Sequence, residues 1–202
     1  YQCESVGDAI SLGEAACCEP LSVALHAVKQ AGNLAGKKVL VTGSGPIGAL
    51  VVAAARYAGA LEVVATDLHD AALAKAVEMG ATGTVNVAAA PGLQTEQYTA
   101  DKGYFDVAIE CTGVGAVLKD IFPVLRPRGV IVQVGVSGDV SIPIGVLVGK
   151  EINLVGAFRF HSEYALAARL LKEGRINVKP IITATLPIDR AVEAFELASD
   201  RR

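Results

Sequence analysis

Residues 43–48 read GSGPIG, and Asp67 closes a second apolar run, VVATD, further along. Glycines at this spacing carry a specific chemistry when they leave a strand and open a helix. Gly43 permits a tight turn, Gly45 lets the backbone approach a pyrophosphate, and Gly48 lets the helix pack close on a sheet. The first-turn N–H groups of the helix entered through Pro46 and Ile47 lack intrahelical partners and point at an anion. Pro46 gives up one N–H but presets φ for the helix start. Asp67 stands where an acidic side chain accepts hydrogen bonds from the ribose hydroxyls of an adenosine. A 2′-phosphate would meet Asp67 and the nearby Asp70, and no Lys or Arg occurs between Glu62 and Ala74. The pattern therefore implies dinucleotide binding, with NAD favoured over NADP.

A second cluster, CCEP at residues 17–20, raises the question of a metal. Cys, Glu and His are zinc-ligand types, and a zinc site needs three or four of them converging. The four cysteines, Cys3, Cys17, Cys18 and Cys111, form no CxxC pair. Adjacent cysteines are poorly placed to chelate one ion together. The three histidines, His26, His69 and His161, suit solvated or packing roles, so no metal ligand is expected in this chain. Reduced thiols and the lack of a recognisable leader point to a cytoplasmic protein.

These residues need elements to hold them, and the hydrophobic pattern supplies them. KKVLVTG reads as a buried strand ending at Thr42, and the apolar helix PIGALVVAAARYAG follows. LEVVATD is a strand, DAALAKAVEMG a helix with Asp70 as its expected N-cap, and TVNV a short strand. YFDVAIE is a strand running to Glu110, followed by the helix GAVLKDIFPVL and the strands GVIVQVGV and EINLVGAF. Ahead of them, Ser11 and Glu14 form a capping box, and a helix is expected from Pro20 to Gly32. After them come a helix over 162–173, an extended PIITATLPI and a last helix from Asp189. Strands alternating with helices give βαβ units. The fold expected is α/β: a Rossmann, doubly wound, six-stranded parallel sheet with helices on both faces. Ligands bind outside the carboxyl ends of such strands. That adds Cys111 and Thr112 after one strand, and Val134, Gly135 and Val136 after another, as walls of the nicotinamide half.

Composition sets bounds on the rest. The chain has 202 residues, 52% hydrophobic and 19% charged, with a net charge of −3. Without a basic excess, nucleic acid is not an expected partner. The apolar runs fall short of the roughly 20 residues of a membrane span.

The motifs EPLSVALHAV, VLVTGSGPIG, VVATD, AIECTG and LVGAFRF run in order across residues 19–160. Together they resemble the zinc-dependent medium-chain dehydrogenases, in the branch of sorbitol dehydrogenase and L-idonate 5-dehydrogenase. The resemblance implies hydride transfer from a secondary alcohol of a polyol or sugar acid to NAD. It implies that Glu19 lies near the catalytic zinc and its water, and that Phe158 and Arg159 border the nicotinamide and the substrate. The zinc ligands it implies, a Cys and a His-Glu pair, sit on a GroES-like domain whose motifs do not occur here. Polyol members often carry an Arg shortly after the ribose acid, where this chain has Ala72.

The expected division is an N-terminal segment and linker helix over 1–35, a cofactor domain over 36–175 and a shortened return segment over 176–202. The chain would then be a cofactor domain without its catalytic partner, inactive alone, with zinc confined to the full-length parent. Two alternatives stay open: a zinc-free reductase using NADPH, and a stand-alone NAD-binding sensor or scaffold. The last strand, residues 151–158, lacks an edge guard such as proline between Ile152 and Phe158. A homodimer through that edge is expected, as the resemblance also implies.

Overall fold

The computed structural model describes residues 4–90 and 92–199; Cys3 and the end of the return segment lie outside them. Two helices come first, α1 (Leu12–Ala16) and α2 (Cys18–Gln30). The capping box forms: Glu14 N–H donates to Ser11 Oγ at 3.2 Å and Ser11 N–H to Glu14 Oε2 at 3.0 Å. Strand β1 (Lys38–Thr42) leads into α3 (Pro46–Tyr57), and β2 (Glu62–Asp67) into α4 (Asp70–Glu78). Then come β3 (Gly83–Asn86), the single turn α5 (Glu96–Thr99), β4 (Phe105–Glu110), α6 (Gly115–Val124) and β5 (Leu125–Gln133). The chain continues through α7 (Ile144–Gly149), β6 (Asn153–Gly156), α8 (Glu163–Lys172) and α9 (Ala191–Ser199).

The six strands form one sheet in the order β3-β2-β1-β4-β5-β6. Every pairing is parallel, as Lys38↔Glu62 and Val39↔Val107 show for the two neighbours of β1. The order reverses between β1 and β4, which leaves a crevice above their carboxyl ends. The α/β fold is the one expected.

Side chains alternate across the sheet with the strand period of 2. Val39, Val41, Val63, Ala65, Val107 and Ile109 face a core closed by α2, α3 and α8. Leu40, Val64, Ala108 and Ile131 face the opposite core, closed by α6 and the Tyr98–Phe105 region. Burial on both faces explains why these strands read as unbroken apolar runs. Among the described residues no helix is long and apolar enough to cross a membrane.

Several boundaries differ from expectation. Helix α2 starts at Cys18, so Pro20 sits inside its first turn. A proline is tolerated there because the N–H it lacks has no intrahelical partner in any case. Glu19 consequently lies in the first turn of α2 rather than before it. His69, not Asp70, is the N-cap residue of α4; its carbonyl accepts from Ala72 and Leu73, and Asp70 is the first helical residue. The uncharged, mostly apolar stretch before β6 folds into α7. Strand β6 covers only Asn153–Gly156 of the expected 151–158. Glu151, at φ +52, breaks the strand conformation on entry. The extended PIITATLPI contains a 3₁₀ turn at Lys179–Ile181, and α9 starts at Ala191, after a 3₁₀ turn at Ile188–Arg190.

Candidate dinucleotide cleft

The glycine loop leaves β1 and turns beneath α3. Gly43 adopts φ +83, and its N–H donates to Thr66 O at 2.9 Å, tying the loop to the end of β2. A Cβ on Gly48 would lie 1.8 Å from Gly43 O, so no side chain fits there. A Cβ on Gly45 would meet nothing within 4 Å, which leaves open space above the backbone of the α3 N-terminus. Pro46 begins the helix and Ile47 is half-buried behind it.

Asp67 ends β2 with both oxygens engaged. Oδ2 accepts from Ser44 N–H at 2.8 Å and Oδ1 from His69 N–H at 3.0 Å. The carboxylate thus pins the glycine loop as well as facing the cleft. The cleft measures about 620 Å³ and is lined by Gly43, Asp67, Leu68, Ala88, Leu93 and Thr112, among others.

The other strand ends meet beside it. Cys111 N–H donates to Thr42 O at 2.9 Å, joining the end of β4 to that of β1. Burial, then the neighbouring Glu110 charge, pushes the Cys111 thiol far up, so it stays protonated and is no nucleophile. Val134 and Gly135 both donate to Glu110 O at 2.9 Å, which folds the β5 loop over the end of β4. Val136 beyond them is 86% exposed.

Of the expected site residues, Gly43, Asp67 and Thr112 line that cavity; the others do not, Glu19, Phe158 and Arg159 among them. Phe158 and Arg159 follow β6 and are exposed, with the guanidinium 5.3 Å from the Phe158 ring centroid. Glu19 is exposed on the first turn of α2, and neither it nor this pair lines the cleft. Behind it, burial raises the Cys17 and Cys18 thiols above their ordinary range. Among the described residues no group of three or more His, Cys, Asp or Glu side chains could hold a metal ion. A lone glutamate does not fit a zinc centre.

The glycine cradle, the acid at the end of β2 and the strand-end walls fit the α/β crevice that receives a dinucleotide. The profile described as zinc-binding dehydrogenase matches residues 46–173 of the chain, from the α3 N-terminus to the end of α8. The chain belongs to the zinc-binding dehydrogenase family. This family member is 42% identical over 184 residues to L-idonate 5-dehydrogenase (NAD(P)(+)) of Escherichia coli (strain K12), covering 91% of this chain and 53% of that protein. It is 38% identical over 201 residues to sorbitol dehydrogenase of Gallus gallus, covering 96% of this chain and 56% of that protein. The crystal structure of L-idonate 5-dehydrogenase from Escherichia coli superposes with a TM-score of 0.93 at 40% identity. It covers 99% of this chain and 57% of that one. The chain therefore spans about half the length of the curated relatives it matches. The motifs read from the sequence point to this same branch of the family.

Sequence reasoning missed two residues of the family member's cleft. Ser44 is buried and supplies the N–H that holds Asp67. Glu110 is fully buried, with Thr112 and Gly113 N–H groups on its carboxylate. The available signal was a carboxylate closing the apolar run DVAI, where only local donors could satisfy it.

Proposed function

We propose that this chain is the NAD-binding domain of a zinc-dependent dehydrogenase acting on a polyol or sugar acid. Residues 36–175 are the cofactor unit, flanked by the N-terminal segment and linker helix over 1–35, whose α2 packs on the unit's core, and by the return segment over 176–202. The observation that carries the reading is Asp67: an acid at the end of β2, bonded to the glycine loop through Ser44, facing a cleft without a basic neighbour in its own segment. Gly43, Gly45, Pro46, Ile47 and Gly48 hold the pyrophosphate at the N-terminus of α3. Asp67 accepts the ribose hydroxyls. Cys111, Thr112, Val134, Gly135, Val136 and Phe158 bound the nicotinamide half, where small side chains leave room for the ring.

When bound, the nicotinamide supplies the acceptor for a hydride from a secondary alcohol. Arg159 and Glu19 belong to the substrate side of that reaction. Glu19 alone builds no zinc site. The names of the Escherichia coli and Gallus gallus relatives, an idonate and a sorbitol dehydrogenase, support the polyol or sugar-acid class. The former name spans both nicotinamide cofactors, which makes NAD preference the point to test.

Calorimetric titration with NAD and NADP, on the chain and on Asp67→Ala, tests the reading. NAD should bind more tightly than NADP. Loss of the charged acceptor should weaken NAD by about 1.5–3 kcal/mol. Equal affinity for the two cofactors in the unmodified chain would refute the NAD assignment.

The reading includes a homodimer. Strand β6 has β5 as its neighbour in the sheet, and its outer edge carries no strand among the described residues. Leu154 on it, and Ile144, Val146 and Val148 on α7, are exposed. A two-fold axis would pair that edge with its copy.

A further inference from the structure

Two carboxylates are buried among the described residues, Glu110 and Glu163. Glu163 faces the ammonium of Lys29. Glu110 is satisfied differently: its carboxylate takes N–H and O–H donors from the loop that follows β4 and the side-chain amide of Gln133, the last residue of β5. Oε1 accepts from Thr112 N–H at 2.6 Å and from the Thr112 hydroxyl. Gly113 N–H lies 3.1 Å from Oε2, which also accepts from the Gln133 amide. The backbone oxygen of the same residue takes the Val134 and Gly135 N–H groups.

The loops so gathered are pressed together. A Cβ on Gly135 would lie 2.1 Å from Gly113 N and 2.7 Å from Glu110 Oε2. A Cβ on Gly43 would lie 2.8 Å from Thr112 Cγ2. Glycine loop, β4 loop and β5 loop therefore touch in series, with Glu110 bonded to two of the three.

We infer that Glu110 is a positioning residue that fixes the loops 111–113 and 134–136 in the shape required by the nicotinamide half of the cofactor. The inference rests on the dinucleotide reading of the cleft. A carboxylate suits the task because it only accepts, so it takes several N–H donors at once. A glutamine has nearly the same shape but turns an NH₂ toward at least one of those donors and leaves it unpaired. On the adenosine side Asp67 bonds Ser44 and His69 rather than Glu110. The consequence is an asymmetric defect, larger at the nicotinamide end.

The test is to titrate the chain, Glu110→Gln and Gln133→Leu with 5′-AMP, which engages only the adenosine side, and with NADH, followed by its own fluorescence. Glu110→Gln should weaken NADH by about 10-fold or more while 5′-AMP changes by less than about 3-fold. Gln133→Leu removes the amide that bridges Glu110 Oε2 to Gly135 O, at 2.7 Å from the latter, and leaves the carboxylate in place, so it should show the same asymmetry at smaller size. It also carries the test alone if Glu110→Gln does not fold. Unchanged NADH affinity in the variants, or equal loss of both ligands, would overturn the role of Glu110 and leave the cleft reading standing. An unmodified chain that binds neither ligand would overturn both.

Discussion

Replacing Glu163 by glutamine removes the charge that clasps α8 to α2. The side chain is 4% exposed and accepts from Lys29 Nζ and from His161 N–H, each at 2.8 Å, with His26 Nδ1 at 3.5 Å. Burial by itself raises the carboxyl pKa. The hydrogen bonds from Lys29 and the His161 and Glu163 N–H groups, with the His26 ring beside them, outweigh that and hold it at about 2, against an ordinary 4.5. Each tenfold is worth about 1.36 kcal/mol, so the difference corresponds to about 3 kcal/mol of folding stability. The folded-state value is depressed. The contribution is therefore complete well above pH 4.5 and is lost as the pH falls toward 2. Lys29 is 64% exposed and regains water when its partner goes, which moderates the cost. Glu163→Gln should lose about 2–3 kcal/mol at pH 7 and about half of that at pH 3. Urea unfolding of both proteins at pH 7, 4 and 3 measures the difference, in which carboxylates common to the two cancel. A loss under about 0.5 kcal/mol at pH 7, or one that does not change with pH, would refute the clasp. Because α2 also carries Glu19 in its first turn, the clasp links core stability to the presentation of that residue.

Gly48→Ala should destabilise the chain by more than about 2 kcal/mol and abolish NAD binding, since the added carbon would fall on Gly43 O; thermal unfolding and titration report the two effects. Ala157 N–H donates to Gln133 O, so by strand alternation the Leu154 N–H points away from β5 to the open edge. Leu154→Pro should shift a dimer toward monomer in light scattering, and a native chain that runs as a folded monomer at micromolar concentration would remove the edge-pairing idea. Elemental analysis of the purified chain should find less than stoichiometric zinc, and one zinc per chain would contradict the ligand argument.

The parts of the site that were legible beforehand are those in which sequence neighbours do the work. GSGPIG specifies a turn and a helix start within six residues, and the VVATD run carries its acid at the strand end by local pattern alone. The alternation of apolar runs with amphipathic segments left little choice but a parallel sheet. Boundaries were less legible where two rules compete. A proline can open a helix or sit later in its first turn, which is why α2 begins before Pro20. An aspartate can cap a helix or stabilise its first turn by charge, and with Asp67 already bonding the His69 N–H, Asp70 does the second.

By itself the sequence determined the fold class, the position of the cleft and the family, because periodicity and the glycine spacing act over a few residues. The tertiary structure decided which polar groups serve which. Asp67 finds Ser44 across 23 positions, and Lys29 finds Glu163 across 134. Glu110 reads in the sequence as one more strand-end acid, yet it gathers two loops because β4 and β5 end side by side. A buried polar atom takes the donors that packing places within about 3 Å of it. Those neighbours are set by the register of strands and the seating of helices, which no local stretch of sequence contains.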